Sequence, residues 1–519
     1  MFRKSIQKMI VICTVLLFFL SSSTVFAADY QRASQPQNNN YRPIFDMGGR
    51  DDYDPLCDIE VTVTIKEIRA LDKIDLLSEA DFYLKVFING DEFQSDVWKN
   101  ADYLPDLDWS ATYNVDDFVE IVDIRIELWD WNILFDRPCD ISKNDASVND
   151  TAVVLEYSIA GGWWWGDDYV FYDPIMSDPS GYGRLNGCDD NSIYENDRDC
   201  EVFFEITQTD VDGDNIPYWV EEHYYHTDPQ VDDTGNDYDC DDIPIEWEHR
   251  YDYNPKSWED HHNIDRDSDG LDNVEEYMTS QWGSDPFRKD LFVELDQMGQ
   301  GLEGEEILFP QGAKFLMRDG YSRHNIVFHM DDGCFGGGEI IPFDNATDRD
   351  ELSDIYYNYF LHGNYSNWRR GVFHYAVVPY DAGWNGFVFQ NGHNQYLDSV
   401  QISAKYHEEL VYRNIFDLFL RKTFDREKNR ALLYGAALMH EIGHTLGIFH
   451  SNTAGCDDQS GAFPWQLNYW KWRPYRSCMN YGFIYQGVVD YSDGSRGRND
   501  FNDWNNIDLT FFQREFWWH

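Results

Sequence analysis

Basic side chains are scarce. Lys and Arg number 40 against 95 Asp and Glu in 519 residues, for a net charge of −55. So acidic a chain repels polyphosphates, which argues against nucleic acid or a bare anionic lipid surface as a partner. Long apolar runs are missing beyond residue 20, so no later segment is expected to cross a bilayer. Cysteine is sparse, at nine residues, and Cys13 lies in the N-terminal apolar run. The other eight are Cys57, Cys139, Cys188, Cys200, Cys240, Cys334, Cys456 and Cys478. An even set in a secreted chain favours disulfides, and local spacing favours Cys188 with Cys200 and Cys456 with Cys478. Aromatics, by contrast, make up 17% of the chain, too many for a disordered acidic polymer. The carboxylates therefore either solubilise a folded surface or are committed to cations. The length predicts about two to four domains.

Residues 1–27 are expected to be a secretory signal. Arg3, Lys4 and Lys8 precede the apolar run Met9–Leu20, and Val25-Phe26-Ala27 forms a small-x-small cleavage pattern. An uncleaved signal would instead act as an anchor. The mature protein is expected to be extracellular. Residues 28–55 are polar, lack periodicity and read as a linker. Alternation with period two then predicts strands at 58–65, 82–88 and 122–129, with a turn at Asn89-Gly90. Successive strands without helices predict a β-sandwich over residues 56–208. Its loops carry Asp75 and Asp81, then Asp130, Asn132, Asp136 and Asp140. In this arrangement the region resembles a diverged C-two domain, the calcium-dependent phospholipid-binding sandwich. The resemblance implies that these residues hold calcium, with Asp136 and Asp140 as alternatives for one place, and that the sandwich makes a calcium-dependent membrane or surface contact. Asn132 replaces the usual aspartate, and ordinary loop acids explain the set as well. Trp163-Trp164-Trp165 reads either as core or as a contact surface.

Residues 209–288 contain an internal repeat. Asp210, Asp212 and Asp214 are followed by Glu221; Asp237, Asp239 and Asp241 by Glu248; Asp265, Asp267 and Asp269 by Glu276. Oxygens at loop positions one, three, five and twelve suit calcium, and so many carboxylates repel one another without a cation. The third unit, with Gly270, also matches an EF-hand loop. The tandem arrangement with short Asp-Pro or Asn-Pro turns instead resembles thrombospondin type-3 calcium repeats. Gly213, Tyr238 and Cys240 depart from the regular pattern.

From residue 289 strands (289–296, 325–330, 372–378) alternate with helical stretches (305–318, 408–423), which predicts an α/β layer. The run Ala431–Met439 leads into His440-Glu441-Ile442-Gly443-His444-Thr445-Leu446-Gly447-Ile448-Phe449-His450. On a helix His440 and His444 share one face and can bind one zinc ion, with Glu441 beside them as a base. Gly447 ends the helix in a left-handed cap, and the turn can return His450 as third ligand. Downstream stands Ser477-Cys478-Met479-Asn480-Tyr481-Gly482. Together the two stretches resemble the long zinc motif and methionine turn of the metzincin endopeptidases. The resemblance implies a zincin-like catalytic domain over 289–519, with Met479 as an apolar floor beneath the imidazoles. It also implies that Tyr481 hydrogen-bonds the reaction intermediate, although a buried core tyrosine accounts for that residue equally. His329, His374 and His393 are expected to be structural. Cys334 could act as a latency thiolate, but the even cysteine set favours a disulfide.

The expectation is a multidomain α+β protein: an N-terminal sandwich, calcium-binding loop repeats and a C-terminal α/β metzincin-like domain. Its function would be secreted, zinc-dependent hydrolysis of a protein or peptide. The alternative is a calcium-dependent adhesive or surface-binding protein with a vestigial zinc site; the intact Glu441 speaks against it.

Overall fold

The computed structural model describes residues 58–514 apart from 76–77, 117–118, 144–150, 168–170, 173–175, 178–182, 191, 194–196, 306–307, 384–385, 389–396, 413–424 and 458. The expected signal, the linker, Cys57, His393 and the later part of the helix expected at 408–423 lie outside the described residues. Strand Glu60–Ala70 shows how the first sheet is built. Val61, Val63 and Ile65 are fully buried on one side. On the other side Thr62 and Thr64 meet Thr112 and Ser110 at 2.9 and 3.0 Å. A register shift between Ile65 and Glu67 lets Ile68 face inward as well. Its antiparallel neighbours are Cys200–Gln208 and Trp109–Asn114. The second sheet runs Asp91–Gln94, Phe82–Ile88, Ile121–Asp130, Val153–Ser158, Trp163–Gly166. Trp163 and Trp164 are buried, and the Trp164 ring lies 5.4 Å from Phe204 of the first sheet. The tryptophan run is thus largely core, and only Trp165 is partly exposed.

A six-stranded mixed sheet follows, with Val327–Asp331, Asp290–Met298, Phe373–Val378 and Ser399–Ile402 parallel and Gly386–Val388 antiparallel at the edge. Phe373–Val378 is buried throughout, as expected of a parallel strand covered on both faces. The helix expected from residue 305 begins instead at Gln311, after Pro310, and runs to Ser322. Proline has no N–H to give, so it is tolerated at a helix start and not inside. This helix packs on Arg426–Thr445 through small residues: a Cβ on Gly312 would stand 3.0 Å from Ala431. The segment expected as helix from residue 408 is helical from Ala404 to Tyr412.

Sandwich and α/β layer meet through buried charge. Arg69 reaches Glu67 at 3.0 Å, Asp319 at 3.1 Å and Glu201 at 3.5 Å. Arg184 reaches Glu201 at 2.6 Å and the Ser322 carbonyl at 3.1 Å. Among the described residues the cysteines are free thiols. The expected Cys188–Cys200 pair is not formed: Cys188 donates to Asp199 at 3.1 Å, and Cys200 neighbours Cys139 instead. Cys456 and Cys478 are both buried thiols of the α/β core, and Cys334 is exposed.

Candidate metal centre

The helix Arg426–Thr445 starts on Asp425, whose carboxylate accepts from the Glu427 and Lys428 amides. It ends in a Schellman cap: Gly447 has φ +88°, its amide meets the His444 carbonyl at 3.1 Å, and the Ile448 amide meets the Gly443 carbonyl at 2.9 Å. Winding brings His440 and His444 to a ring separation of 4.8 Å. The Nδ1 of His440 lies 2.9 Å from the Cys478 carbonyl, and the Nδ1 of His444 lies 2.6 Å from the Ile448 carbonyl. A carbonyl can only accept, so both Nδ1 atoms carry the proton. In the neutral rings the Nε2 lone pairs are then free for a metal.

A residue the sequence did not single out faces both. Asp457 Oδ1 lies 3.2 Å from Nε2 of His440 and 3.4 Å from Nε2 of His444. That oxygen is buried and has no hydrogen-bond partner. Ligand atoms around tetrahedral zinc, with bonds of about 2.0–2.1 Å, stand roughly 3.3 Å apart. These spacings fit a divalent ion between the three groups. His450, expected as third ligand, is 64% exposed in its side chain, and its Nδ1 lies 3.5 Å from the other oxygen of Asp457. Burial opposes the charge of Asp457, but the two imidazoles outweigh it and hold the carboxyl well below its ordinary range. Burial likewise opposes the charge on His444, yet Asp457 brings its value up to about 9 in the metal-free centre. Glu441 is buried beside them, and burial raises its carboxyl.

The turn at residues 477–482 holds this set through its backbone carbonyls. Met479 is fully buried, and its carbonyl accepts the Asp457 amide at 2.9 Å. The same turn offers the Cys478 carbonyl to His440. The Tyr481 ring centroid lies 5.6 Å from that of His440, and the Tyr481 amide donates to Ser460 Oγ at 2.9 Å. Of the remaining histidines, His374 and His329 are buried, bonded to Thr445 at 2.8 Å and Asp290 at 2.5 Å.

The three acidic units repeat one hydrogen-bond pattern. Position one (Asp210, Asp237, Asp265) accepts the amides of Gly213, Cys240 and Ser268. It also accepts those of Asn215, Asp242 and Gly270. All six donors have positive φ, so Gly213 and Cys240 sit at equivalent turns despite their different chemistry. Position five (Asp214, Asp241, Asp269) accepts the amides of Asp233, Glu259 and Asp290 from the chain that follows. Glu221, Glu248 and Glu276 are buried on the short helices Glu221–Tyr225, Ile245–Arg250 and Asn273–Thr279. Each has an oxygen without a hydrogen-bond partner. Asp214, Glu221 and Asp233 converge, as do Asp241, Glu248 and His261, and Asp210, Asp212 and Asp214. Burial, with repulsion from neighbouring acids, raises Glu221 to about 8 and Glu248 to about 9. Asp239 and Asp267 are raised for the same reasons. Orphaned buried carboxylate oxygens of this kind fit divalent cations. Asp233, Glu259, His261 and Asp290 lie outside the loop pattern read from the sequence.

At one end of the sandwich the acids are already partnered. Arg137 Nη2 lies 2.6 Å from Asp75 and 3.2 Å from Asp130, occupying the space between them. Asn132 donates to Asp130 at 2.6 Å, Tyr83 donates to Asp136 at 3.1 Å, and Asp81 accepts the Asn100 amide at 2.7 Å. Asp140 stands apart, capping the Ser142 amide. The loop between Asp130 and Asp136 exposes Ile133, Leu134 and Phe135 at 89%, 83% and 84%.

No protein-family model matches the chain, and no curated protein matches it. Among solved structures, a C2 domain matches at 14% identity over 29% of this chain and 98% of its own, with a TM-score of 0.18. A C2 domain of plant extended synaptotagmin 1 matches at 14% identity over 29% of this chain and 95% of its own, also at 0.18. Human GIVD cytosolic phospholipase A2 matches at 17% identity and a TM-score of 0.19; 31% of this chain spans 17% of that one. TM-scores this low establish neither fold nor function.

Proposed function

We propose that the chain is a secreted zinc-dependent endopeptidase of metzincin type, with calcium holding its acidic units. The observation that carries this reading is the convergence of the Nε2 atoms of His440 and His444 on Oδ1 of Asp457, with buried Glu441 beside them. His440, His444 and Asp457 would hold the ion, with His450 at the rim. When bound, zinc supplies Lewis acidity toward a carbonyl oxygen and acidifies water. Glu441 takes the proton from the attacking water, aided by a buried site that favours the protonated carboxyl, and returns it to the leaving amine. The Tyr481 ring lies near enough to His440 to border the reacting peptide. Met479 fixes the floor and, through its carbonyl, the Asp457 backbone.

The acidic units would act as cation-dependent scaffolding for the catalytic layer, since Asp290, at the start of its strand Asp290–Met298, closes the third unit. A surface contact by the sandwich is supported by Ile133, Leu134 and Phe135, large apolar side chains open to solvent at one loop tip. Incubating the purified chain with casein or a labelled peptide, in zinc and calcium, tests the main reading. Chelator-sensitive cleavage restored by zinc supports it, and no cleavage of any peptide would leave the surface-binding reading in its place.

A further inference from the structure

The three acidic units share their carboxylates but differ in one donor. Asp233, His261 and Asp290 stand twelve to fourteen residues after Glu221, Glu248 and Glu276 respectively. Asp233 and His261 each join the converging group of their unit, although the amide that caps position five in the middle unit is that of Glu259. Of the converging groups named above, only that of the middle unit includes an imidazole. Its His261 side chain is fully buried, with Nε2 at 3.2 Å from Asp241 Oδ2 and 3.9 Å from Glu248 Oε1. That nitrogen makes no hydrogen bond, and neither oxygen of Glu248 has a partner. A proton on His261 would not resolve this, since both Glu248 oxygens would still lack a donor. Trp247 and Tyr253 fix the ring edge-on at 6.3 and 5.0 Å.

We infer that the middle unit is a mixed nitrogen and oxygen site, built from Asp241, Glu248 and His261, for a d-block divalent cation such as zinc or manganese. The inference rests on reading the units as cation loops. Calcium takes hard oxygen donors, whereas imidazole selects transition metals, so one substitution changes the ion class of one unit among three. The second side of the ring permits it. His261 Nδ1 lies 2.8 Å from the Asn273 amide, and that amide also meets the Tyr253 hydroxyl. Turning the amide over lets its oxygen accept from Nδ1, while the hydroxyl accepts from its nitrogen, leaving the Nε2 lone pair to the metal.

The test uses the full chain carrying His440→Ala and His444→Ala, stripped of metal and titrated with cobalt(II) in excess calcium. The expected result is about one cobalt per chain, with paramagnetically shifted imidazole protons of a bound histidine. Adding His261→Asp, which exchanges the nitrogen donor for oxygen, should abolish cobalt retention and add about one calcium. The shifted imidazole signals need no further variant, so the test survives poor folding of His261→Asp. Calcium bound normally but no cobalt, or cobalt undiminished by His261→Asp, overturns the inference alone. Neither ion bound overturns the cation-loop reading beneath it.

Discussion

Met479 packs where any side chain on residue 443 would stand: a Cβ built on Gly443 would lie 2.5 Å from its sulfur. Gly443 therefore admits the turn at residues 477–482, and with it the carbonyls that orient His440 and the Asp457 backbone. Gly443→Ala should cost about 1–3 kcal/mol of stability by overpacking and weaken zinc retention. Denaturant melts and metal analysis after dialysis check both effects; a variant as stable and as zinc-rich as wild type would show that the contact is slack.

Asp457 and His450 make different demands. Asp457 faces both ring nitrogens, whereas His450 meets only its outer oxygen and is largely exposed. Asp457→Ala should lower zinc retention at least tenfold, and His450→Ala should lower it less. Competition with a zinc indicator ranks the two variants. The reverse order would return His450 to the place the sequence motif suggests.

Calcium should separate scaffold from chemistry. Each loaded site should stabilise the fold by about 2.7 kcal/mol when calcium is a hundredfold above its dissociation constant. A calcium-selective chelator should lower the melting temperature and open residues 209–288 to proteolysis while zinc stays bound. Asp265→Ala or Glu276→Ala should reproduce part of that loss. Melting curves that superimpose with and without calcium would leave the acidic units as plain linker.

Buried neutral histidines should contribute a part of the stability that is lost in acid. Burial lowers His407 and His249 to about 4 from an ordinary value of 6.5. Between those values each of these two side chains binds more protons in the unfolded chain than in the native one, so its contribution to stability falls as pH drops from about 6.5 to 4, at up to ~1.4 kcal/mol per pH unit for each group. His407→Gln should flatten this dependence by one proton's worth. Denaturation midpoints at a series of pH values measure it, and an unchanged slope would assign the titration elsewhere.

What was legible in the chain was local. The helical face shared by His440 and His444, the cap at Gly447 and the period of the acidic loops all follow from neighbours within a few residues. Asp457 was not legible, because what brings it to the imidazoles is a backbone bond to Met479, more than twenty residues away in sequence. His261 and Asp290 join their units from chain beyond the loop pattern, so the pattern could not include them. The acids around Asp130 read as a cation site, and the cation in place is Arg137, whose role depends on a folded loop rather than on spacing. Pro310 stands inside the helical pattern that begins at residue 305, and the missing N–H of that one residue moves the helix start to Gln311.

The central claim is that Glu441 moves a proton at a zinc centre that the other residues hold. The most direct measurement pairs zinc content with peptide hydrolysis in wild type and Glu441→Gln. We predict equal zinc in both chains and hydrolysis reduced by at least about a hundredfold in the variant. Near-wild-type hydrolysis by Glu441→Gln would contradict the account, as would a wild-type chain that binds no zinc.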